Sequence, residues 1–119
     1  MSAHHAVTLW HNPRCSKSRG ALELLQARRI EPAIVDYQKN PPSAAEIEHA
    51  LELLGKQPRE LMRKGEPVYA ELALDNPELT RKQLVDAMVD HPVLIERPIA
   101  FANGKAAIGR PPEAVLTIL

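Results

Sequence analysis

The 119-residue chain has a single cysteine, Cys15, so no disulfide can form within it. A lone thiol suits a reducing cytoplasm better than an oxidising compartment. Aromatics are also scarce. Trp10, Tyr37, Tyr69 and Phe101 are the whole set, too few for a base-stacking platform. Neither sign of charge is in excess: fifteen Lys and Arg balance fifteen Asp and Glu. That balance argues against a general nucleic-acid binder, which carries a basic surplus, but it allows a local basic pocket. No run approaches the roughly 20 apolar residues of a membrane helix. The opening MSAHHAVTLW lacks the basic n-region and long apolar h-region of a signal peptide. There is no glycine-rich phosphate loop and no internal repeat. No cluster of Cys, His and carboxylates falls at metal-ligand spacing, so no metal site is expected. His4 and His5 read as part of a frayed terminus, His49 as a helix residue and His91 as a helix end.

What is present is ordinary for a globular protein: 45% apolar and 25% charged residues. The length fits a single domain over residues 1–119. Residues 6–10, AVTLW, form an apolar, β-branched run that reads as a buried strand. A helical pattern follows, with Ala21, Leu22, Leu24 and Leu25 as its apolar stripe and Glu31-Pro32 as its end. Residues 33–37, AIVDY, read as a second strand, which makes a right-handed βαβ unit with parallel strands. Ser43 and Glu46 have capping-box spacing, and Gly55 closes a helix that ends near Leu54. A short helix over Pro58–Met62, a loop over 63–67 and a helix over Arg81–Asp90 capped by Thr80 come next. Asn103-Gly104 is a two-residue hairpin turn between two short strands. A final helix over Glu113–Leu119 follows, with Pro112 near its start. The eleven prolines sit at element boundaries. The fold class is therefore α/β: a βαβ part, a helical insertion over about 43–90, then a C-terminal hairpin and helix.

The chemistry centres on HNPRCSKSR, residues 11–19. Cys15 lies between the first strand and the first helix, where free N–H groups and the helix dipole favour an anion. Such a setting lowers a thiol pKa from about 8.5 into roughly the 3.5–7.5 range. Lys17 and Arg19 add positive charge, and His11 stands four residues upstream. The plainer alternative is a free cysteine acting as a small hydrophobe, which fits poorly with this polar context. Ser18 occupies the place where a C-x-x-C oxidoreductase would keep its resolving cysteine, so any redox cycle needs an outside thiol. Ser18 is equally at home as a first-turn helix residue. Nine arginines are present, and most read as solvated helix faces. Arg63, Arg97 and Arg110 instead lie in loops rich in proline and glycine, where a guanidinium can bind an oxyanion with two hydrogen bonds. Taken singly, each reads more readily as a surface ion-pair partner; taken with a thiolate at a helix start, the three suggest an anion site. Pro98 is a candidate for a cis peptide. The C-x₅-R loop of low-molecular-weight phosphatases is ruled out, because residue 21 is alanine.

Four motifs, HNPRCSKSR, LMRKGEPVY (61–69), HPVLIERPIA (91–100) and GRPPE (109–113), resemble in order the glutaredoxin-coupled arsenate reductases, the ArsC family. The resemblance is to the short chromosomal members, because Ser16-Lys17 stand where the well-known resistance enzymes carry Gly-Thr. It implies a thioredoxin-like fold with a small mixed sheet and the helical insertion between the βαβ part and the hairpin. It implies Cys15 as nucleophile, Arg63, Arg97 and Arg110 as oxyanion binders, His11 and Ser18 as groups that help the thiolate, and Pro98 as the cis-proline. Arsenate would be the substrate, glutathione the co-substrate and glutaredoxin the partner, with no bound cofactor and no nucleic-acid or membrane partner. Two rival readings share these residues. One is a glutathione-dependent thiol enzyme acting on another electrophile. The other is an Spx-like regulator that binds RNA polymerase, a class that commonly carries C-x-x-C as its switch.

Overall fold

The computed structural model describes residues 6–119; His4 and His5 lie outside the described residues. The chain forms two compact units, one made of residues up to Asn40 together with Arg97–Leu119, the other of Pro41–Glu96.

In the first unit, β1 (Thr8–His11), α1 (Ser16–Ala27) and β2 (Ala33–Asp36) precede the hairpin of β3 (Ile99–Ala102) and β4 (Lys105–Ile108). The sheet order is β2-β1-β3-β4. β1 pairs parallel to β2, with Thr8 opposite Ala33 and His11 opposite Asp36. It pairs antiparallel to β3, with Leu9 opposite Ala100, and β3 pairs antiparallel to β4. This mixed sheet is the expected thioredoxin-like one. Its side chains alternate between faces. Leu9, Ala100 and Ala102 join Val7, Ala21, Leu25, Val115 and Ile118 in one buried cluster. Trp10 and Phe101 share the opposite face as diagonal neighbours, ring centroids 5.0 Å apart.

The local chemistry explains most boundaries. Asn103 and Gly104 have φ of 55° and 70°, the left-handed pair that a two-residue primed turn requires. The Asn103 side chain donates to the Ile118 carbonyl at 2.8 Å, tying the turn to the chain's last segment. That segment, Pro112–Ile118, is a 3₁₀ helix rather than the expected α-helix. Its buried residues are Val115 and Ile118, a three-residue spacing that a three-per-turn helix stacks on one face. α1 ends at Ala27, four residues before the Glu31-Pro32 break. Arg29 turns left-handed at φ 62°, and the N–H groups of Arg29 and Ile30 return to the carbonyls of Gln26 and Leu25. This is a Schellman cap with arginine where glycine is usual. Of the expected α1 stripe, Ala21 and Leu25 are buried while Leu22 and Leu24 are half-buried.

The second unit is helical, as the insertion was expected to be. α2 (Ala44–Leu54), α3 (Pro58–Leu61), α4 (Pro67–Glu71) and α5 (Arg81–Asp90) are joined by a 3₁₀ turn at Pro92–Leu94. Ser43 and Glu46 close the expected capping box at 3.1 and 2.9 Å, and Gly55 is left-handed at φ 65°. Thr80 caps α5 through Gln83, and Leu84, Val85 and Met88 are buried. α4 is an element that the sequence reading missed. It starts at Pro67, which was read as the end of a loop but serves as the first residue of a helix. Arg59 holds the following chain by donating to the carbonyls of Leu74 and Asn76 at 2.8 and 2.7 Å.

Candidate active site

β1 ends at His11, and four residues separate it from the start of α1. Between them Asn12 acts as a clasp. Its carbonyl accepts from the Cys15 N–H at 3.0 Å, and its side-chain oxygen accepts from the Arg14 N–H at 3.0 Å. Its own N–H donates to the Ser18 hydroxyl at 3.3 Å. Asparagine before proline favours this kind of side-chain-closed turn, so the signal was present in the sequence but was not used. Ser18 is fully buried, and its hydroxyl oxygen accepts the bond that holds the loop.

Cys15 is the N-cap residue of α1. As a neutral thiol it makes no capping hydrogen bond within ordinary geometry. The sulfur nevertheless stands where an N-cap oxygen would accept from the second and third helical N–H groups, and those belong to Lys17 and Ser18. Burial opposes ionisation of the thiol. Hydrogen bonds from the backbone N–H of Ser18 and Lys17, and then the hydrogen bond and positive charge of Arg97, outweigh it and bring the pKa to about 7. The contribution of Ser18 and Lys17 is thus a backbone one. The side chains of Lys17 and Arg19 are exposed to water and are not among the groups that lower the thiol pKa. Arg19 instead donates to the Pro13 carbonyl at 3.0 Å and buttresses the loop.

His11 is buried. Burial lowers its pKa, Asp36 across the β1–β2 pair works against this, and Arg19 adds to it. Its Nδ1 is buried without a hydrogen-bond partner. His11 is therefore neutral at pH 7 and supplies no positive charge to the thiol, so the expected help to the thiolate does not come from imidazolium.

Arg97 is half-buried and immediately precedes β3. The Arg97–Pro98 and Arg110–Pro111 peptides are both cis; Pro98 was expected and Pro111 was not. Arg110 is exposed, and its guanidinium lies 3.4 Å from the Arg97 carbonyl. The segments carrying these two arginines meet closely. The Gly109 N–H donates to the Pro98 carbonyl at 2.8 Å, and a Cβ at position 109 would fall 2.7 Å from Pro98 Cγ. Only glycine fits there. The first unit therefore brings Cys15, Ser18, Arg97 and Arg110 together, with His11 at the base of the thiol loop.

Arg63 belongs to the second unit. Its Nη1 donates to Glu96 Oε1 at 2.9 Å, and its Nε lies 3.5 Å from Glu66 Oε2. Its N–H donates to the Leu94 carbonyl at 2.7 Å, beside an isolated bridge of Met62 with Ile95. The two carboxylate partners were not foreseen. Among the described residues no group of three or more His, Cys, Asp and Glu could hold a metal ion, and no helix is long and apolar enough to cross a membrane.

Comparison with known proteins fits this arrangement. The ArsC family model matches residues 10–118. An arsenate reductase of Neisseria meningitidis is 47% identical over 95% of this chain and 97% of its own. The Escherichia coli protein YfgD, whose name assigns no activity, is 52% identical over 95% of this chain and 96% of its own. The solved structure of an arsenate reductase from Vibrio cholerae superposes with a TM-score of 0.94 at 45% identity, covering 97% and 98% of the two chains. The chain is a member of the ArsC family.

Proposed function

We propose that the protein reduces arsenate to arsenite, with Cys15 as nucleophile and glutathione and glutaredoxin as the source of electrons. The observation that carries this reading is the thiol at the N-cap position of α1, bonded to Arg97 and with its pKa lowered to about 7. At neutral pH such a sulfur is about half thiolate, and a guanidinium beside it suits an incoming oxyanion.

Arsenate enters with its oxygens toward Arg97 and Arg110; the motif resemblance gives Arg63 the same task. The Cys15 thiolate attacks arsenic, an S–As bond forms and one arsenate oxygen leaves as water. The arginines neutralise the charge that develops on the remaining oxygens. The chain holds no second thiol, so glutathione attacks next, forming a second S–As bond and releasing a second water. A glutaredoxin thiolate then attacks the glutathione sulfur. The S–S bond of a mixed disulfide forms, and the electron pair of the broken S–As bond stays on arsenic, which becomes As(III). Water displaces it from Cys15 as arsenite and returns the thiol. Such a cycle belongs in a reducing cytoplasm.

The test is purified protein with arsenate, glutathione and glutaredoxin, coupled to NADPH oxidation through glutathione reductase. Arsenate-dependent oxidation is expected, and Cys15→Ser should abolish it. Substantial turnover by that variant would sink the mechanism. A reactive Cys15 with no arsenate-dependent turnover would point to another electrophile.

A further inference from the structure

Beside the thiol loop lies an open hollow of about 320 Å³ lined by Asn12, Pro13, Arg14, Asp36, Gln38 and Lys39. Three of these belong to the turn that the Cys15 N–H closes on the Asn12 carbonyl, so Cys15 directly follows the hollow's wall in the chain. Of the other three, Asp36 is the last residue of β2, the strand paired with β1, and Gln38 and Lys39 follow it.

The lining is polar and carries both signs of charge. Arg14 and Lys39 are exposed, and among the described residues neither side chain has a hydrogen-bond or ion-pair partner. Asp36 uses one carboxylate oxygen to accept from the Gln38 N–H at 3.3 Å, and among the described residues its other oxygen accepts no hydrogen bond. Asn12 spends its side-chain oxygen on the Arg14 N–H and keeps its NH₂ donors. Two unpaired cations, one carboxylate and amide groups complement an α-amino-acid terminus, which bears a carboxylate and an ammonium. The volume is at the small end of ligand pockets, roughly 300–1,000 Å³, enough for such a terminus and little more.

We propose that this hollow seats the charged γ-glutamyl end of glutathione, placing its sulfur against the adduct on Cys15. Arg14 and Lys39 take the carboxylate and Asp36 the ammonium. The inference rests on glutathione being the reductant, and it adds where that reductant docks and which side chains select it.

The test needs no arsenate. Cys15 thiolate attacks a disulfide, forms a mixed disulfide and expels one thiolate. The rate is measured with oxidised glutathione, with uncharged bis(2-hydroxyethyl) disulfide and with 3,3′-dithiodipropionate, an anion that lacks the ammonium. The Arg14→Ala/Lys39→Ala double variant changes two exposed side chains and leaves the core untouched. It is expected to slow the glutathione reaction about tenfold, a size typical of two exposed charge contacts. The uncharged reaction should be unchanged and the dithiodipropionate reaction only slightly slowed. Asp36→Asn should slow oxidised glutathione and spare dithiodipropionate. Equal losses for both anions would mean long-range attraction without a seat and would overturn the inference. Unchanged rates with oxidised glutathione would overturn it as well. Selectivity for glutathione without arsenate turnover would leave the hollow standing and remove the substrate assignment. Arsenate turnover with no such selectivity would do the reverse.

Discussion

Cys15 ionises near pH 7 because two backbone N–H groups and Arg97 outweigh the burial that opposes its charge. A lowered thiol pKa means that the reactive anion is already abundant at neutral pH and is lost as the pH falls through the folded value. Cys15 alkylation by iodoacetamide should therefore rise with a midpoint near pH 7, measured as rate against pH. Arg97→Ala should move that midpoint upward, because it removes a hydrogen bond and a positive charge from the anion. A midpoint that did not move would show that the backbone alone sets it. Arg63 offers a separate test at the same scale. Glu96→Ala leaves it only the longer contact with Glu66. Loss of one partly exposed pair should lower unfolding stability by about 1 kcal/mol or less in urea titration. If Arg63 binds arsenate, the KM for arsenate should rise a few-fold while kcat changes less, with Glu96→Gln restoring most of the loss.

At the level of elements, the readable parts were those whose signals are local. The Ser43 and Thr80 caps, the Gly55 terminus and the Asn103-Gly104 turn each follow from residues within four positions of one another. The end of α1 was misplaced because Arg29 takes a conformation that the sequence marks as unfavourable. For a non-glycine residue the left-handed region costs roughly 1–2 kcal/mol, while glycine loses roughly 0.5–1 kcal/mol in backbone entropy. Arg29→Gly should thus raise stability by up to about 1 kcal/mol, read as a higher urea midpoint with an unchanged slope. The last segment was misread for a different reason. A seven-residue apolar pattern serves α and 3₁₀ periods equally until something fixes which residues face inward, and here the first unit's buried cluster does so. The site divides the same way. Cys15 at a helix start was legible, and so was the pull of the backbone N–H groups there on its pKa. Lys17 and Arg19 were expected to add their charge and do not; the structure adds instead a guanidinium 82 positions away in sequence.

For the whole molecule, fifteen positive and fifteen negative side chains give a sequence pI of about 7.0. With little net charge to keep molecules apart near neutrality, solubility in ammonium sulfate should be lowest near pH 7 and rise on either side. Its measurement across pH 5–9 tests that expectation. The small mixed sheet and the helical insertion were both foreseeable, because a strand–helix–strand start and a hairpin finish leave few ways to assemble four short strands; their order, β2-β1-β3-β4, came from the structure. The Glu96 carboxylate beside Arg63 was not foreseeable in this way, since it joins residues 33 positions apart. One earlier feature bears on how such a protein can change. Gly109 packs against Pro98 with no room for a single added carbon, so the backbones that present Arg97 and Arg110 are spaced by contact rather than by loop length. The two arginines are mounted as a pair. Lengthening either loop would shift both cations at once, and altered oxyanion preference is more accessible by exchanging side chains on this fixed mount than by remodelling the loops that carry it.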